Sequence, residues 1–296
     1  MNRKGIVFIV VSALIYGFIP VVFLWANREG TNAFTLTFLK SLVSLPLLYL
    51  ILKIRRVSLR LERQNLWHIL FLSGFMLITN LLLSISYLYI DIGTATNTHF
   101  FYPIFVLLLS SLLFKVRIQL RQILSILIGI AGILCFFSNF SADTKLGFLL
   151  AIASGFTYAL YLVFIEQFRL GKKDGFVLSF YMSAFSCLLS LPLSLLPFDQ
   201  TSFTFLFTPM VLLYVLLLSV LTNLIAIVLL NTGVSLLGST TVSLLSLAEP
   251  VSAYLFGIWL LNQSMSIREF AGCGLIILSL MVLILKRTNP SEKKEN

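Results

Sequence analysis

Charged residues are rare in this chain. Asp, Glu, Lys and Arg together make up 11% of the 296 residues, whereas 59% of the residues are apolar and the mean hydropathy is +1.02. A chain of this composition cannot hide its apolar surface inside one soluble core, so lipid must be its solvent. The scarcity of charge therefore predicts an all-α integral membrane protein.

Residues that carry catalysis or bind metals are scarce as well. The chain has only two histidines, His68 and His99, and its three cysteines lie inside apolar runs without metal-ligand spacing. It has no glycine-rich nucleotide loop, no His-Glu-x-x-His motif and no credible Ser/His/Asp set. These absences disfavour a primary pump and a hydrolase of the soluble type. We therefore expect no enzyme activity, no metal and no cofactor.

The excess of basic over acidic residues has a simple explanation in a membrane protein. The formal net charge of +10 would suggest a nucleic-acid partner for a soluble chain, but here the basic residues form short clusters between apolar segments. Cytoplasmic loops of membrane proteins collect Lys and Arg in this way. We expect a lipid bilayer and a small-molecule substrate as partners, and no nucleic acid.

Polar clusters divide the chain into apolar segments of about 20 residues, the length that a helix needs to cross hydrocarbon. The predicted spans are 4–26, 33–53, 66–89, 94–115, 120–138, 146–168, 175–196, 208–230, 235–261 and 267–286. The first apolar stretch, Ile6 to Ala26, has no small-residue cleavage motif after it. It is therefore interpreted as a retained helix and not as a signal peptide.

The positions of the basic residues set the predicted orientation. With the N-terminus in the cytoplasm, most of the 21 Lys and Arg residues fall on the cytoplasmic side. Only Arg28, Lys145 and Arg268 fall on the other side, and Lys40 lies within the second span. The pattern predicts a multi-pass protein of the cytoplasmic membrane with both termini in the cytoplasm.

The two halves of the chain resemble each other. Glycine, proline and polar residues recur in the same order at offsets of 142 to 147 residues. The pairs are Gly5 with Gly147, Ser12 with Ser154, Tyr16 with Tyr158, Thr79-Asn80 with Thr222-Asn223, and Pro103 with Pro250. We predict a first repeat over 1–140, a second over 141–288 and a short polar tail over 289–296. Five spans per repeat would insert the second copy in the opposite direction, an architecture common in transporters.

The ninth span combines two features that a lipid-exposed helix avoids. Glu249 places a carboxylate at mid-membrane, and Pro250 removes the hydrogen bond to the carbonyl of Ser246. Pro103 is expected to free the carbonyl of His99 in the fourth span in the same way. Unwound backbone is tolerated at this depth only where protein or water covers it. Both prolines therefore predict helix breaks that line a cavity and help to gate it.

Polar residues near the breaks are candidate substrate ligands. In the ninth span these are Ser246 and Glu249, and in the fourth they are His99 and Tyr102. A free imidazole titrates near neutral pH, so His99 is a candidate for coupling protons to transport. The alternative is that Glu249 is packed in protonated form, that His99 faces interfacial water and that the prolines are ordinary kinks.

Further candidates lie deep in other spans. Lys40 cannot easily reach the cytoplasmic surface and needs an anionic or carbonyl partner. Interior polar and aromatic side chains complete the predicted site: Asn80, Asn223, Tyr16, Tyr158 and Tyr161. Helix packing is an equally good explanation for the amides and the tyrosines.

Two other features are expected to be structural. Glu166 and Arg169 are interpreted as an interfacial ion pair at the end of the sixth span. Small residues four apart, such as Ser125 and Gly129, favour close packing inside the molecule over a dimer interface. We therefore expect a monomer or a weak homodimer.

The segment "GSTTVSLLSLAEPVSAYLFGIWLLNQSMSIREFAGCGLIILSLMVLI", together with ten spans in two copies, resembles the EamA family of the drug/metabolite transporter superfamily. The likeness covers nearly the whole chain, although Tyr102 stands where that family usually has Glu. The resemblance implies movement of small organic solutes by alternating access, frequently export of amino acids or other metabolites across a bacterial cytoplasmic membrane.

The favoured function is thus a secondary transporter for a small organic metabolite, such as an amino acid, with export favoured over import. Lys40 and Glu249 would suit a zwitterion. The alternatives are a channel, a carrier for a sugar, nucleoside or quaternary amine, and a membrane enzyme without transport activity.

Overall fold

The computed structural model describes residues 2–87, 89–90, 92–135, 144–194, 208–262 and 266–284, and this part of the chain is helical without any β-strand. The predicted polar tail 289–296 lies outside the described residues. The helices are α1 Arg3–Arg28, α2 Ala33–Ile54, α3 Arg63–Ser86, α4 Ile92–His99, α5 Tyr102–Phe114, α6 Leu120–Leu134, α7 Lys145–Gln167, α8 Gly175–Ser194, α9 Pro209–Leu218, α10 Ile227–Leu237, α11 Ser239–Leu245, α12 Ala248–Leu261 and α13 Ile267–Ile284. A 3-10 turn covers Leu170–Lys172, and a π-helical segment, Ser219–Ala226, joins α9 to α10.

Most predicted spans coincide with helices. Nine stretches in the described residues are long and apolar enough to cross a membrane, if α4 with α5, α9 with α10, and α11 with α12 are each taken as one continuous span. The fifth predicted span coincides with α6, a shorter apolar helix of 15 residues. The chain is therefore a multi-pass helical membrane protein.

The predicted boundary between the eighth and ninth spans is wrong. The eighth was expected to end at residue 230, but helix α10 continues to Leu237, and Gly238 separates it from α11 with a φ of 80°. The polar residues that suggested a loop are satisfied inside the bundle. Asn231 accepts a hydrogen bond from Tyr161, and the Thr232 hydroxyl donates to the carbonyl of Val228 one turn earlier. Polar side chains with interior partners do not end a helix.

Helices of the two halves pair in matching fashion. Helix α1 packs on α12 and on α10, while α7, its counterpart in the second half, packs on α5 and on α3. Two further contacts join counterparts directly, α2 with α8 and α6 with α13. The core therefore lies between the halves and is built from both.

Small residues allow the closest approaches. A Cβ atom on Gly132 of α6 would lie 2.9 Å from the carbonyl oxygen of Gly272 in α13. The face of α6 that carries Ser125 and Gly129 contacts Ser279 of α13. The prediction that these small residues serve packing within the molecule is confirmed.

The two proline-associated helix breaks are present. Helix α4 ends at His99 and α5 begins at Tyr102, whereas α11 ends at Leu245 and α12 begins at Ala248. The expectation that Pro250 leaves the Ser246 carbonyl free is wrong, because this oxygen accepts a hydrogen bond from the backbone N–H of Glu249 at 2.9 Å. A tight turn thus replaces the helical bond that the proline removes.

The second half of each broken span also ends alike. Helix α5 is followed by Lys115 and α12 by Asn262, and both residues have left-handed backbone, with φ of 54° and 52°. Each of these residues lies 12 positions after its proline. The two broken spans are therefore built on one plan.

Candidate functional site

Four tyrosines and one carboxylate meet where the two halves of the molecule join. Glu249, at the start of α12, is an electrostatic neighbour of Tyr16 in α1, Tyr102 in α5 and Tyr158 in α7. The Tyr102 and Tyr158 rings are in edge contact at 4.8 Å, and Tyr158 stacks on Tyr161 at 6.0 Å. Both repeats contribute to this cluster, which is called the tyrosine–glutamate site below.

His99 closes one side of the site. Its ring lies 5.5 Å from the Tyr102 ring and 5.4 Å from the Tyr158 ring. Its Nδ1 atom is 2.9 Å from the Ser154 hydroxyl oxygen, and that hydroxyl is 2.6 Å from the Ala151 carbonyl. Because a hydroxyl has only one proton to donate, Ser154 donates to the carbonyl and accepts from Nδ1–H. Ser154 therefore orients the imidazole.

Tyr161 is held in place by polar contacts within the second repeat. Its hydroxyl donates to the Asn231 side-chain oxygen at 2.7 Å, and the Asn231 amide nitrogen lies 3.7 Å from the sulfur of Met182. All three residues are buried. Tyr161 thus forms a fixed wall whose hydroxyl is already committed to a protein partner.

Other polar atoms of the site have no such partner. The Tyr102 hydroxyl is buried and makes no hydrogen bond of good geometry within the described part of the chain, although the Ser246 side chain lies within hydrogen-bonding range. In the same part of the chain, no ion pair or hydrogen bond reaches the Glu249 carboxylate. Buried polar groups normally have partners, and buried charge without one is costly. A ligand or water is the natural partner for these atoms.

The site borders an internal space. Tyr16 and Tyr158 lie at the centres of the buried faces of α1 and α7, yet each remains half-buried and not fully buried. Glu249 is half-buried in the same manner, on the side of α12 away from the lipid-facing residues Leu255 and Trp259. Side chains that face inward and still retain accessible surface must border a cavity.

The internal space opens toward the end of the bundle at which α1 ends. Beyond Tyr16, the same stripe of α1 remains accessible at Pro20, Phe23 and Asn27. On α12, the residues one, two and three turns beyond Glu249 stay half-buried along one stripe. They are Ala253, Phe256 and Leu260.

The opposite end, where α1 begins, is closed. Ile9, Ser12 and Ala13 on the inward stripe of α1 are at most 2% exposed. The Ser12 hydroxyl donates to the Ala226 carbonyl at 2.9 Å, and a Cβ on Gly233 of α10 would lie 2.6 Å from the Cγ1 atom of Ile9. The accessible part of the inward stripe of α1 thus lies toward the end of the bundle where α1 ends, and the part near the start of α1 is packed.

Lys40 lies nearer the open end than Glu249 does. Its Nζ is 5.7 Å from the centre of the Phe23 ring, and its backbone carbonyl accepts a hydrogen bond from Ser219 at 2.9 Å. No acidic side chain pairs with this ammonium among the described residues. Phe23 is seven residues beyond Tyr16, which separates the two levels by about 10 Å along α1. Lys40 and Glu249 therefore border the internal space at different depths.

Within the described residues, no hydrogen bond links either predicted asparagine to the tyrosine–glutamate site. Asn223 lies in the π-helical segment, where its amide donates to the Ser44 hydroxyl at 2.9 Å and its side-chain oxygen accepts from Thr222 at 3.0 Å. Asn80 is half-buried in α3 without a hydrogen bond to the described residues. Asn223 is thus placed as a link between helices.

The pair proposed at the end of the sixth span is also wrong. The Glu166 carboxylate does not bind Arg169 but accepts a hydrogen bond at 2.7 Å from the backbone N–H of Ser239, the first residue of α11. A cavity of about 220 Å³ adjoins this contact and is lined in part by Arg169 and Lys172. In the described residues, the ion pair that does form joins Arg55 to Asp174 at 3.0 Å.

Sequence reasoning missed several residues that shape the site. Ser154 was noted only as a repeat match, and Asn231 was taken as part of a loop, although a lone amide in an apolar run is itself a signal. Gly17 was overlooked, yet its Cα packs so closely on α12 that a Cβ would lie 2.8 Å from the Glu249 carbonyl. The π-helical segment has no signal in the sequence that we can identify.

The fold and site define a multi-pass helical membrane protein with an interior polar site shared by two similar halves. A family model for the EamA-like transporter family matches residues 3–138 and 145–285, nearly the whole chain in two copies. The chain therefore belongs to the EamA-like transporter family, within the drug/metabolite transporter superfamily, and is a membrane transporter.

Solved structures show the same fold. One of the 29 matching chains, whose title reads only "Crystal structure of protein", is 18% identical to this chain, with a TM-score of 0.81 over 96% of this chain and 97% of that one. Comparison with curated proteins gives no significant match.

Proposed function

We propose that this protein is a secondary carrier that moves a small organic metabolite with an amino group, such as an amino acid, across the cytoplasmic membrane by alternating access. The direction we favour is export. The observation that supports the proposal most strongly is the Glu249 carboxylate, which has no partner in the described part of the chain and lies among tyrosines from both repeats. Buried ionisable residues in membrane spans usually mark the path of a substrate or ion.

The proposed architecture has ten spans in two oppositely inserted repeats, with α6 as the fifth span and both termini in the cytoplasm. The matched helix pairings of the two halves support this arrangement, as does the common plan of the two broken spans. In that orientation the open end of the internal space faces outward and the closed end faces the cytoplasm. Cysteines introduced at residues 3 and 28, labelled from each side, would test this topology.

The two breaks are the proposed moving parts. Helix α11 packs on α10 and α1, as its counterpart α4 packs on the matching helices α3 and α7, but α11 also packs on α5, α6, α7 and α13. We infer that exchange of these two arrangements, with Pro103 and Pro250 at the flexible points, opens one end of the space as it closes the other. A ligand shifts this equilibrium only if it binds the two states differently.

A channel is the first rival, and it requires a continuous polar path. The buried apolar residues Ile9 and Ala13 at the closed end argue against such a path.

A membrane enzyme is the second rival, and formation of a product by the purified protein would support it. Proton coupling through His99 remains part of the proposal, and flux that is independent of a pH gradient would remove it.

The test is a ligand screen by thermal shift with the purified full-length protein, because a ligand that binds only the folded state raises the unfolding temperature. Amino acids, nucleosides, sugars and amines form the panel. Glu249→Gln and His99→Ala should weaken the response to any hit, and Glu29→Gln, at an exposed position, should not. An unchanged response in both site variants would refute the site.

A further inference from the structure

We propose that the carried solute has two well-separated charges of opposite sign: an ammonium group held in the tyrosine–glutamate site and an anionic group that reaches Lys40. The class that fits is an elongated zwitterion, such as an ω-amino acid, and not an α-amino acid. This inference rests on the proposed function and specifies the substrate of the same site.

The cationic end follows from the charges and rings around Glu249. Glu249 is the one acidic group that is an electrostatic neighbour of Tyr16, Tyr102 and Tyr158 among the described residues, and no basic side chain there pairs with it. Aromatic faces attract cations, most strongly where water is excluded. A carboxylate with three tyrosines as neighbours, and with no donor among the described residues, selects an ammonium group and repels an anion.

The anionic end follows from Lys40. This ammonium also lacks an acidic partner in the described residues, and its Nζ lies over Phe23 on the accessible stripe of α1. The internal space that begins at Glu249 runs past Phe23 toward the open end. One extended ligand in this space can therefore contact Glu249 at one end and Lys40 at the other.

The separation of the two levels argues against the compact alternative. Tyr16 and Phe23 lie about 10 Å apart along α1. The ammonium and carboxylate that an α-amino acid carries on one carbon atom can satisfy Glu249 or Lys40 but not both. A zwitterion whose charges lie several methylene groups apart satisfies both, and the aromatic and apolar walls between the two levels suit its chain.

The experiment measures dissociation constants for matched probes with full-length protein in nanodiscs. Glycine, 4-aminobutanoate, 6-aminohexanoate and 8-aminooctanoate vary the charge separation. 6-Amino-1-hexanol keeps only the cationic end, and 6-hydroxyhexanoate keeps only the anionic end. We expect affinity to rise along the zwitterion series to six or eight carbons, by roughly tenfold or more over glycine, with the cation-only probe binding better than the anion-only probe.

Three variants assign each end. Glu249→Gln should weaken 6-aminohexanoate and 6-amino-1-hexanol alike by about tenfold or more. Lys40→Met should weaken 6-aminohexanoate by about tenfold while leaving 6-amino-1-hexanol within about twofold. The exposed Glu29→Gln variant, which removes the same charge outside the site, should bind every probe as the wild type does.

Several outcomes would overturn the proposal: glycine binding as tightly as the longer zwitterions, the anion-only probe binding better than the cation-only probe, Glu249→Gln without effect, or no binding of any probe. The carrier function is judged separately, by exchange of any solute found in the thermal-shift screen. If such a solute exchanges but the zwitterions do not bind, the ligand assignment fails and the carrier stands. If no solute exchanges at all, the carrier fails.

Discussion

Ser125 of α6 and Ser279 of α13 exchange hydrogen bonds across the seam between the two repeats. The Ser125 hydroxyl is 3.0 Å from the Ser279 carbonyl, and the Ser279 hydroxyl is 2.7 Å from the Ser125 carbonyl. Each serine thus donates one hydrogen bond to the other and accepts one from it. This reciprocity is what a local two-fold axis between α6 and α13 would produce.

The first prediction concerns the strength of this pair. Ser125→Ala and Ser279→Ala should each lower the free energy of unfolding by about 0.6 kcal/mol, and by no more than about 1.7 kcal/mol, the range for hydrogen bonds between membrane helices. The two losses should add, because each hydroxyl donates to a different backbone carbonyl. A double-mutant cycle on the free energy of unfolding in bicelles measures this. Strongly non-additive losses would show that the two hydroxyls bind each other instead.

The second prediction concerns Gly17, where α1 meets the break before α12. A Cβ there would lie 2.8 Å from both the Glu249 carbonyl and the Ala253 nitrogen, so Gly17→Ala should destabilise the protein by about 1–3 kcal/mol. Gly74→Ala is the matched control, because a Cβ at Gly74 meets nothing within 4 Å. Alanine should stabilise helix α3 there by about 0.5–1 kcal/mol. Equal effects at both glycines would contradict the close approach.

The third prediction concerns the tautomer of His99. Because Ser154 accepts from Nδ1–H, the neutral ring should carry its proton on Nδ1. Nitrogen NMR shifts of a His68→Phe variant, in which His99 is the remaining histidine, report this directly. Ser154→Ala should shift the tautomer balance. A proton found on Nε2 in the unmutated site would exclude the assigned hydrogen bond.

The fourth prediction concerns the closed end of the internal space. Gly233→Leu in α10 should force α1 away at Ile9 and bias the carrier toward the opposite state. The readout is labelling of Ala253→Cys, introduced in a variant without native cysteines. Its reaction with a membrane-impermeant maleimide should slow several-fold. Gly274→Leu, at a position where a Cβ meets nothing within 4 Å, is the control. Unchanged labelling in Gly233→Leu would show that this contact does not hold the closed end shut.

Much of the fold was accessible from the sequence because lipid imposes simple rules. Span length and hydrophobicity located the helices, and the polar and proline matches between the halves anticipated the common plan of the two broken spans. The rule of cutting at polar clusters failed at residues 231–233, because it cannot see that Tyr161 satisfies Asn231. Partners that lie far apart in sequence decide whether a polar residue ends a helix.

The same limit applied to the site. Cost arguments singled out Glu249, His99 and Lys40, of which the structure buries His99 and half-buries the other two, and repeat symmetry singled out Tyr16 and Tyr158. Burial cost alone could not show that Asn223 links α2 to the π-helical segment, whereas Glu249 has no partner among the described residues. Nor could it show that Lys40 and Glu249 lie at different levels, since this depends on how α1, α2 and α12 cross.

The central claim is that one interior site becomes accessible from each end in turn. The direct test is labelling of Ala253→Cys and Ser12→Cys, each in the variant without native cysteines, with an impermeant maleimide applied to either side of sealed vesicles. The account predicts that Ala253→Cys reacts only from the side where α1 ends and Ser12→Cys only from the other, and that conditions which speed one reaction slow the other. Simultaneous labelling of both positions from one side, or a Ser12→Cys that never reacts, would contradict alternating access.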